Sequence, residues 1–363
     1  MIRIEIQPRW RFHQIDGSSL DPQGMSLLQN VHDCGKLTEA AARSGYSYRH
    51  AWNLLGKWEA FFGSPLIELQ RGKGAQLTSL GEKLLRADQR IRARLAPQLD
   101  NLAGELEVEL NRALQETRPG LRIHASHGFA VAALREWLEQ DNRWQWELQF
   151  RSGVEAMLSL QRRDCDLAGL HVPSGPLGSL SMARIQPWLR AEHRVITFVV
   201  RTQGLILAPG NPLGITGLAD LQRSGLRLVN REQGSGTRML LESLLQQAQI
   251  DSARIDGFHN EEYTHAAVAA YVASGMADVG FGVEAAARMF GLAFIPMARE
   301  HYCLLCHQDS LALPAMGALL EVLQHPEFQA RIAQLPGYAL SRPGEVLPLS
   351  QALEHWSRES LLE

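Results

Sequence analysis

The chain has 363 residues, of which 45% are hydrophobic and 21% charged. These values are typical of a soluble globular protein with two or three compact units. The chain contains no window near the roughly 18 consecutive apolar residues of a membrane helix and no stretch resembling a signal sequence, so we expect a cytoplasmic protein without a membrane span. Its four cysteines are too few and too scattered for a disulfide framework, and we expect reduced thiols.

The net charge of −3 by itself argues against binding to nucleic acid, but the charge is unevenly distributed. Between Lys36 and Arg94 there are eleven Lys and Arg against five Asp and Glu, a local net of +6 that leaves −9 for the rest. A basic segment in an acidic chain is typical of a protein in which one domain meets phosphate and another does not.

The first elements predict a helix-turn-helix. Alternation over residues 2–6 predicts a short strand, and apolar spacing over 22–32 predicts a helix. Thr38 is placed to cap a short alanine-rich helix, and Gly45 supplies the turn that ends it. A second helix then starts after Ser47. Two helices joined by a glycine-containing turn of this length form a helix-turn-helix.

Residues 66–77 read as strand, turn and strand, with Arg71 and Lys73 flanking a glycine at the tip. This pattern predicts a wing. Thr78 then opens a long leucine-rich helical pattern that extends to Leu110, with an interruption or kink expected at Pro97. A leucine-rich helix of this length is expected to pair with a second copy, which predicts a homodimer.

After residue 118 strands and helices alternate, which predicts an α/β architecture with mainly parallel sheets. The predicted strands are 121–125, 146–150, 167–171, 205–208, 226–229, 279–281 and 302–306, and the predicted helices are 130–139, 153–161, 237–247, 264–274 and 316–323. We therefore expect a winged helix-turn-helix over 1–80, a linker and dimerisation helix over 81–117, and a two-lobed ligand-binding domain over 118–363, its second lobe at about 195–295.

The candidate DNA contacts lie in the helix-turn-helix and the wing. Early positions of a recognition helix face the major groove, where polar side chains reach base edges and phosphates. We expect Ala51, Trp52, Leu55 and Trp58 to pack the same helix onto its domain. An ordinary amphipathic helix with surface charges is the alternative, and the basic hairpin favours DNA. The candidate DNA-binding residues are Thr38, Ser47, Tyr48, Arg49, His50, Asn53, Arg71 and Lys73.

A candidate anion site lies where a strand ends at Val229 and a helix begins near Ser235. Backbone amides at a helix start, hydroxyl groups and arginines all favour an anion. Ser126 and His127 end the domain's first strand, at the edge where open α/β sheets bind ligands. Structural turns are the alternative at each place. The candidate ligand-binding residues are Ser126, His127, Arg231, Gln233, Gly234, Ser235, Gly236, Thr237, Arg238, Thr264 and His265.

Two other patterns could indicate haem or a metal. Cys303-Leu-Leu-Cys306-His307 matches the short haem-attachment pattern, but it lies in an apolar run that reads as a buried strand. The group His259, Glu261, Glu262 and His265 has no clear ligand spacing and no cysteine support. We expect no metal, no cofactor and no catalytic residue.

Residues from about Gly24 to Leu85 resemble the DNA-binding domain of molybdate-responsive regulators of the ModE type, and more distantly that of LysR-type regulators. The most specific part is the Ser-Tyr-x-x-Ala-Trp stretch. The chain departs from the molybdate regulators after this domain, because it does not continue into their small β-barrel modules. The matching segments are Leu37-Thr38-Glu39-Ala40-Ala41, Gly45 to Trp52, Gly72-Lys73-Gly74-Ala75 and Leu77-Thr78-Ser79-Leu80-Gly81.

Residues from about Leu121 to Tyr338 instead resemble the periplasmic-binding-protein-like domain found attached to such helix-turn-helix units and to some molybdopterin-synthesis proteins. The segments that carry this resemblance are 203–206, 209–212, Val229 to Arg238, 264–269 and 277–282. The resemblance implies a DNA-binding transcriptional regulator with a double-stranded operator and a small anionic effector, molybdate or tungstate.

Alternatives stay open at this point. The effector could be a pterin related to the molybdenum cofactor or an organic acid. The chain could also be a protein of molybdenum-cofactor metabolism without a regulatory role, although its sequence has no evident nucleophile with an adjacent base and no carboxylate pair. A third interpretation is a binding protein for transport, and the lack of an export signal argues against it.

Overall fold

The computed structural model describes residues 2–20, 24–70, 74–114, 119–178 and 185–357. Contacts divide the chain into two compact units, Gln7–Ala93 and a second unit made of Met1–Ile6 with Arg94–Glu363. Within the described residues, no helix is both long and apolar enough to cross a bilayer.

The smaller unit is a helix-turn-helix followed by a hairpin. Its core contains Leu27, Val31, Ala40 and Ala51, all at most 1% exposed, and a second cluster surrounds Trp58. Its elements are β1 (Phe12–His13), β2 (Ser19–Leu20), α1 (Met25–Cys34), α2 (Leu37–Arg43), α3 (Tyr48–Phe62), β3 (Ile67–Gln70), β4 (Gly74–Leu77) and the first part of α4 (Ser79–Ala113).

Two details of the sequence prediction are wrong here. Residues 2–6 form no strand, because their backbone is bonded to side chains of α4 instead. Asn111 accepts from the Ile2 amide at 2.8 Å, and Glu107 accepts from the Ile4 amide at 2.7 Å. Thr38 does not cap α2, since the helix already begins at Leu37 and no side chain caps it.

The turn and the start of α3 agree with the prediction. Gly45 has a φ of +74°, in the region that favours glycine. Ser47 caps α3, because its hydroxyl accepts from the His50 amide at 3.2 Å. Trp52 differs from the prediction: it is 51% exposed and stacks on Tyr48, one turn earlier, with ring centroids 6.3 Å apart. The packing face of α3 consists of Ala51 and Trp58, with Leu54 and the predicted Leu55 partly buried against the same clusters.

The predicted hairpin forms from β3 and β4, which pair antiparallel from Ile67 opposite Leu77 to Gln70 opposite Gly74. Arg71 and Lys73 lie outside the described residues. The long helix α4 follows and runs unbroken from Ser79 to Ala113, so an interruption at Pro97 is wrong and a kink there stays a prediction.

The larger unit is an α/β domain built on one ten-stranded sheet. Its strands are β5 (Gly120–Ala125), β6 (Gln145–Phe150), β7 (Leu167–Pro173), β8 (His193–Leu207), β9 (Leu228–Arg231), β10 (Glu261–Glu262), β11 (Val279–Val283), β12 (Ala293–His307), β13 (Tyr338–Leu340) and β14 (Val346–Pro348). Its helices, after α4, are α5 (Phe129–Leu138), α6 (Gly153–Gln161), α7 (Gly236–Gln247), α8 (His265–Ala273), α9 (Glu284–Met289), α10 (Pro314–Gln324), α11 (Pro326–Ala333) and α12 (Leu349–Ser357).

The sheet has the order β10-β9-β11-β8-β12-β7-β5-β6. The prediction of mainly parallel sheets holds for its outer strands, where β5 pairs parallel with β6 and β7, and β9 pairs parallel with β10 and β11. The two central strands, β8 and β12, are 15 residues long and antiparallel to each other. They pass through both halves of the sheet, so they connect two lobes. The predicted short strands 205–208 and 302–306 are parts of these crossing strands.

Candidate functional site

The glycine-rich turn after β9 forms a helix start, as the sequence indicates. Gly234 has a φ of +89°, and Ser235 then caps α7 because its hydroxyl accepts from the Arg238 amide at 3.2 Å. The helix has 12 residues, so its first amides and the positive end of its dipole lie at this turn. Because the Ser235 oxygen accepts from the backbone, its hydroxyl proton is available to a ligand.

A cavity of about 140 Å³ opens beside this turn. Four residues predicted as ligand contacts meet there, Ser126 and His127 from the end of β5, and Arg231 and Ser235 from the second lobe. The rest of its lining comes from α4, from the end of β6 with the start of α6, and from two residues of the second lobe. These are Pro97, Gln98, Asn101, Phe150, Arg151, Ser152, Glu155, Glu232 and Tyr263.

The other predicted residues of the α7 turn do not line this cavity. Gln233 is exposed and Gly234 lies beside it in the turn. Gly236 lines a smaller neighbouring cavity, of about 20 Å³, together with His171 and Glu300. The Thr237 hydroxyl is buried and accepts from Gln203 at 2.9 Å.

Arg238 and the start of α8 also have structural partners. The Arg238 guanidinium lies 4.0 Å from the Phe258 ring centroid, and it donates to the Glu242 carboxylate and the Phe258 carbonyl. Thr264 caps α8, because its hydroxyl accepts from the Ala267 amide at 2.9 Å. His265 is buried at the first position of α8, and its Nδ1 has no hydrogen-bond partner within the part of the chain that the structure describes.

Arg231 is the main cation of the cavity. Its side chain is 4% exposed and donates to the carbonyl oxygens of Glu262 and Tyr263, while the nearest carboxylate, that of Glu232, is 3.6 Å away. Burial lowers the pKa of Arg231 to about 10, since the carboxylate of Glu232 compensates only part of the lost hydration. A buried guanidinium with such incomplete compensation favours an anionic ligand.

Behind the cavity, the crossing strands carry a buried polar network that the sequence analysis did not single out. Arg201 of β8 lies directly opposite Glu300 of β12 and donates to its carboxylate at 2.5 Å. Gln203 donates to the same carboxylate at 2.5 Å. His171, at the end of β7, has its Nδ1 3.0 Å from Arg201 Nη2 and its Nε2 2.6 Å from the Ser126 hydroxyl.

This network contains a charge-balanced pair. Burial opposes ionisation of Glu300, but the charge of Arg201 and the hydrogen bonds outweigh it and hold the pKa of Glu300 at about 2. Burial likewise opposes the charged form of Arg201, and Glu300 outweighs it, so the pKa of Arg201 is raised. Ionised partners 2.5 Å apart fix each other in place.

The histidines around the cavity are neutral near pH 7. Burial lowers the pKa of His127 to about 4, with a further contribution from the charge of Arg231. Burial also lowers the pKa of His171 to about 4, with Arg201 adding to the effect. The pKa of His265 is lowered well below its ordinary value by burial and by Arg231 and Arg201. The histidines therefore add no charge to the cavity, whose charged lining residues are Arg151 and Arg231 with Glu155 and Glu232.

Helix α4 borders the same cavity. Pro97, Gln98 and Asn101 line it, and Asn101 is bonded to the backbone of Phe150, whose ring lies 4.8 Å from that of His127. Near its entry into this unit, Arg94 lies 3.7 Å from the buried carboxylate of Glu262. The linker helix is thus part of the wall of the candidate ligand site.

The metal and haem patterns have other surroundings. Within the described ranges no group of three His, Cys, Asp or Glu side chains is arranged to hold a metal ion. Cys303 and Cys306 are buried in β12, as predicted for this strand, and burial raises the pKa of both thiols, that of Cys306 to about 12.

On the smaller unit, the start of α3 carries the predicted DNA contacts on an exposed surface. Ser47, Tyr48, Arg49, His50 and Asn53 are all exposed, and Thr38 is exposed on α2. His50 lies against Tyr46, with ring centroids 4.9 Å apart. This exposed surface includes an aromatic pair, Tyr48 and Trp52, whose tryptophan was assigned to the core by apolar spacing alone.

Two family models match the chain. The model "Bacterial regulatory helix-turn-helix protein, lysR family" matches residues 23–82, and the model "PBP superfamily domain" matches residues 134–324. Among curated relatives, the YvgK protein of Bacillus subtilis is 28% identical over 246 residues, which cover 68% of this chain and 79% of that protein. The transcriptional regulator ModE of Haemophilus influenzae is 33% identical over 70 residues, 18% of this chain and 28% of that protein.

Solved structures of transcriptional regulators are also similar to the chain, but with lower sequence identity. A hydrogen-peroxide-bound mutant of OxyR from Corynebacterium glutamicum has a TM-score of 0.43 at 14% identity, covering 85% of this chain and 92% of OxyR. CbnR in complex with its target DNA has a TM-score of 0.38 at 16% identity, covering 83% and 97%. The PBP superfamily model covers more than half of the chain, so the chain belongs to the PBP superfamily, and its residues 23–82 match the lysR-family helix-turn-helix model.

Proposed function

We propose that this protein is a DNA-binding transcriptional regulator that senses a small tetrahedral oxyanion, molybdate or tungstate, in the cavity between Ser126 and His127 on one lobe and Arg231 and Ser235 on the other. The observation that carries the proposal is Arg231, a buried cation whose nearest carboxylate is 3.6 Å away, at the wall of a cavity that also presents hydroxyl groups and a helix start. Charge-assisted hydrogen bonds from such a group favour an anion over a neutral ligand.

The size of the cavity favours an inorganic anion over a pterin. At about 140 Å³ it is well below the roughly 300–1,000 Å³ of pockets that hold drug-sized ligands. The partial match to the regulator ModE, confined to 70 residues, agrees with a molybdate effector. The neutral histidines and structural hydroxyls suit binding, and we propose a sensor without a catalytic step.

The proposed DNA partner is a double-stranded operator contacted by the start of α3. Arg49, His50 and Asn53 are exposed there and can reach base edges, while Ser47 and Tyr48 can contact phosphate. Arg71 and Lys73, which the basic pattern of the sequence singles out, are proposed to contact the flanking phosphates.

We propose that the protein acts as a homodimer through α4. Leu102, Leu106 and Leu110 follow one another at four-residue spacing and are 51%, 43% and 42% exposed. The helix also has two ends of opposite charge: residues 79–94 carry five Lys and Arg against two Asp and Glu, and residues 95–113 carry one against four. An antiparallel second copy would cover the leucines and set each half against the opposite charge.

The effector would act on DNA through α4, which is one unbroken helix from Ser79 to Ala113 and lines the cavity at Pro97, Gln98 and Asn101. An effector changes DNA affinity only if it binds the competent and incompetent states differently, and couplings of about 1–3 kcal/mol are usual. An anion that contacts both lobes beside α4 is placed to make that difference.

Calorimetric titration of the full chain against molybdate, tungstate, sulfate and phosphate tests the proposal, followed by operator affinity with and without the tightest ligand. We expect molybdate or tungstate to bind most tightly and to change operator affinity. Tight binding of a pterin or an organic acid, with no binding of any oxyanion, would overturn it. Sedimentation of the full chain should show a dimer, and Leu106→Glu should weaken it.

A further inference from the structure

We propose that His171 is a positioning residue that makes the Ser126 hydroxyl an obligate hydrogen-bond donor to the bound anion. This inference rests on the proposed oxyanion function, and it names a residue outside the glycine-rich turn. His171 and Ser126 are 45 positions apart in the sequence and meet at the ends of two neighbouring strands, β5 and β7.

The direction of each hydrogen bond follows from the chemistry of the groups. Two groups face His171 Nδ1: Arg201 Nη2 at 3.0 Å, which can only donate, and the Glu300 carboxylate at 3.6 Å, which is beyond hydrogen-bond distance, so Nδ1 accepts from Arg201. A neutral imidazole carries one proton, which is then on Nε2. Because Nε2 lies 2.6 Å from the Ser126 oxygen, it donates to that oxygen. The hydroxyl proton of Ser126 is thereby directed to another acceptor, and Ser126 lines the cavity.

The surroundings fix His171 in this orientation. Its side chain is 5% exposed, and its ring lies 4.5 Å from the ring of Tyr302, centroid to centroid. On the α7 side, a Cβ at Gly236 would come within 2.9 Å of the ring, so the helix start packs directly on the imidazole. Arg201 is held in turn by Glu300, its cross-strand neighbour.

The same directions oppose a nucleophilic role for Ser126. A serine next to a histidine can be a nucleophile and its general base, but the base nitrogen must then accept the hydroxyl proton. Here Arg201 occupies the other ring nitrogen as a donor, so Nε2 already carries a proton. The pair is arranged to donate to a negative charge in the cavity.

A matched pair of substitutions tests the role of His171. Asn at 171 can still accept from Arg201 but cannot reach Ser126, whereas Gln can place an amide N–H near the position of Nε2. We expect Ser126→Ala and His171→Asn each to weaken molybdate or tungstate binding about 10- to 100-fold, the usual effect of losing one bond to a charged group. We expect His171→Gln to recover most of the affinity.

A double variant separates positioning from a merely structural effect. If His171 acts through Ser126, the combined Ser126→Ala and His171→Asn variant should bind no more weakly than Ser126→Ala alone. As a control, His193→Asn changes another buried histidine, 1% exposed and outside the cavity lining, and should bind like the parent. The proposal would be overturned if the double variant lost affinity by the product of the two single losses. It would also be overturned if His171→Asn bound the anion as the parent does.

A measurement on the unchanged protein covers the case in which His171→Asn does not fold. Nitrogen-15 NMR of the histidine rings distinguishes the two neutral tautomers, and we expect the His171 proton on Nε2. A proton on Nδ1 would contradict the proposal even if oxyanions bind. A parent that binds no oxyanion, with the proton on Nε2, would instead reject the proposed function and leave the tautomer assignment standing.

Discussion

The side-chain amide of Asn101 closes two hydrogen bonds with the backbone of Phe150: its oxygen accepts from the Phe150 amide at 2.7 Å, and its nitrogen donates to the Phe150 carbonyl at 2.9 Å. This pair ties α4 to the end of β6 at the wall of the cavity. The Phe150 ring in turn contacts His127, and all three residues line the cavity of the proposed ligand.

Asn101→Ala should therefore reduce the anion-dependent change in operator affinity more than it reduces anion affinity. Both bonds are lost at once, so we also expect about 1–3 kcal/mol less stability. Asn111→Ala is the matched control, because Asn111 likewise closes two bonds from α4 to one residue's backbone, that of Ile2, outside the cavity lining. Operator titrations with and without tungstate give the comparison, and equal coupling in the two variants would argue against a route through Asn101.

A charge at the start of α7 should block the site without unfolding the helix. Asp and Asn are both good N-caps, so either can replace Ser235 as the acceptor for the Arg238 amide. Ser235→Asp adds a negative charge to the cavity, and Ser235→Asn does not. We expect anion binding to be lost in the Asp variant and retained at least in part in the Asn variant, with similar thermal unfolding of the two. Comparable calorimetric affinities in both would place the anion elsewhere.

Removing the buried cation should weaken binding strongly. Arg231→Gln keeps donors for the carbonyls of Glu262 and Tyr263 but removes the positive charge. We expect a loss of about 1.5–3 kcal/mol in anion affinity, the range for hydrogen bonds to charged groups. Arg227→Gln is the control, since Arg227 lies just before β9, is half exposed and is paired with Asp278. A similar small loss in both variants would show that long-range charge alone accounts for the effect.

The secondary structure of both units follows from local patterns, while the polar network does not. Periodicity predicts α6 over Gly153–Gln161 and α3 after Ser47, because these segments carry their own caps. Local patterns do not predict the full length of β8 and β12, because Arg201 and Glu300 interrupt the apolar runs of these strands. The two charged side chains can be buried there only because they pair across the two strands. Their pairing spans 99 residues, which no local pattern reports.

The exposure of individual side chains also differs from the prediction where tertiary packing determines which of them are buried. Trp52 fits the apolar period of α3, yet it is 51% exposed, whereas Trp58 is buried and packs against Phe12. In the ligand site, chemistry at a strand end and a helix start identified Ser126, His127, Arg231 and Ser235, which meet at one cavity. His171 could be added only from its 2.6 Å approach to Ser126.

DNA binding by the smaller unit should depend on Arg49. If it reads a base, Arg49→Ala should weaken specific operator binding by about 1–3 kcal/mol and relax specificity at one position. Arg163→Ala, an exposed arginine of the larger unit paired with Asp309, is the control and should bind as the parent does. Electrophoretic or anisotropy titrations at two salt concentrations separate a base contact from a phosphate contact, and parent-like affinity of Arg49→Ala at both salts would remove Arg49 from the interface.

Stability should fall as the solution becomes acidic from about pH 6.5 to pH 4. In the folded state, burial lowers the pKa of His124, His127, His171 and His193 to about 4, from an ordinary 6.5. The unfolded chain therefore binds more protons than the folded chain in this pH window. The stability contributed by these neutral histidines is fully present above pH 6.5 and is lost as the pH falls. Each histidine can lower the free energy of unfolding by up to about 1.4 kcal/mol for each pH unit.

Chemical unfolding between pH 4 and pH 7 measures how steeply the free energy of unfolding changes with pH. His193→Gln removes one buried histidine and should make the pH dependence of the unfolding free energy shallower. A slope that is identical in the parent and in His193→Gln would show that this ring does not remain neutral in the fold.

The bonds from Asn111 and Glu107 to the backbone of Ile2 and Ile4 have a consequence for module exchange. Because residues 1–6 belong to the larger unit and Gln7–Ala93 to the smaller one, the helix-turn-helix unit lies in the chain between two segments of the larger unit. A chimaera that replaces everything before residue 94 would also strip the second half of α4 of its backbone partners. Replacing the helix-turn-helix unit by that of another protein therefore needs two junctions, one after residue 6 and one after residue 93.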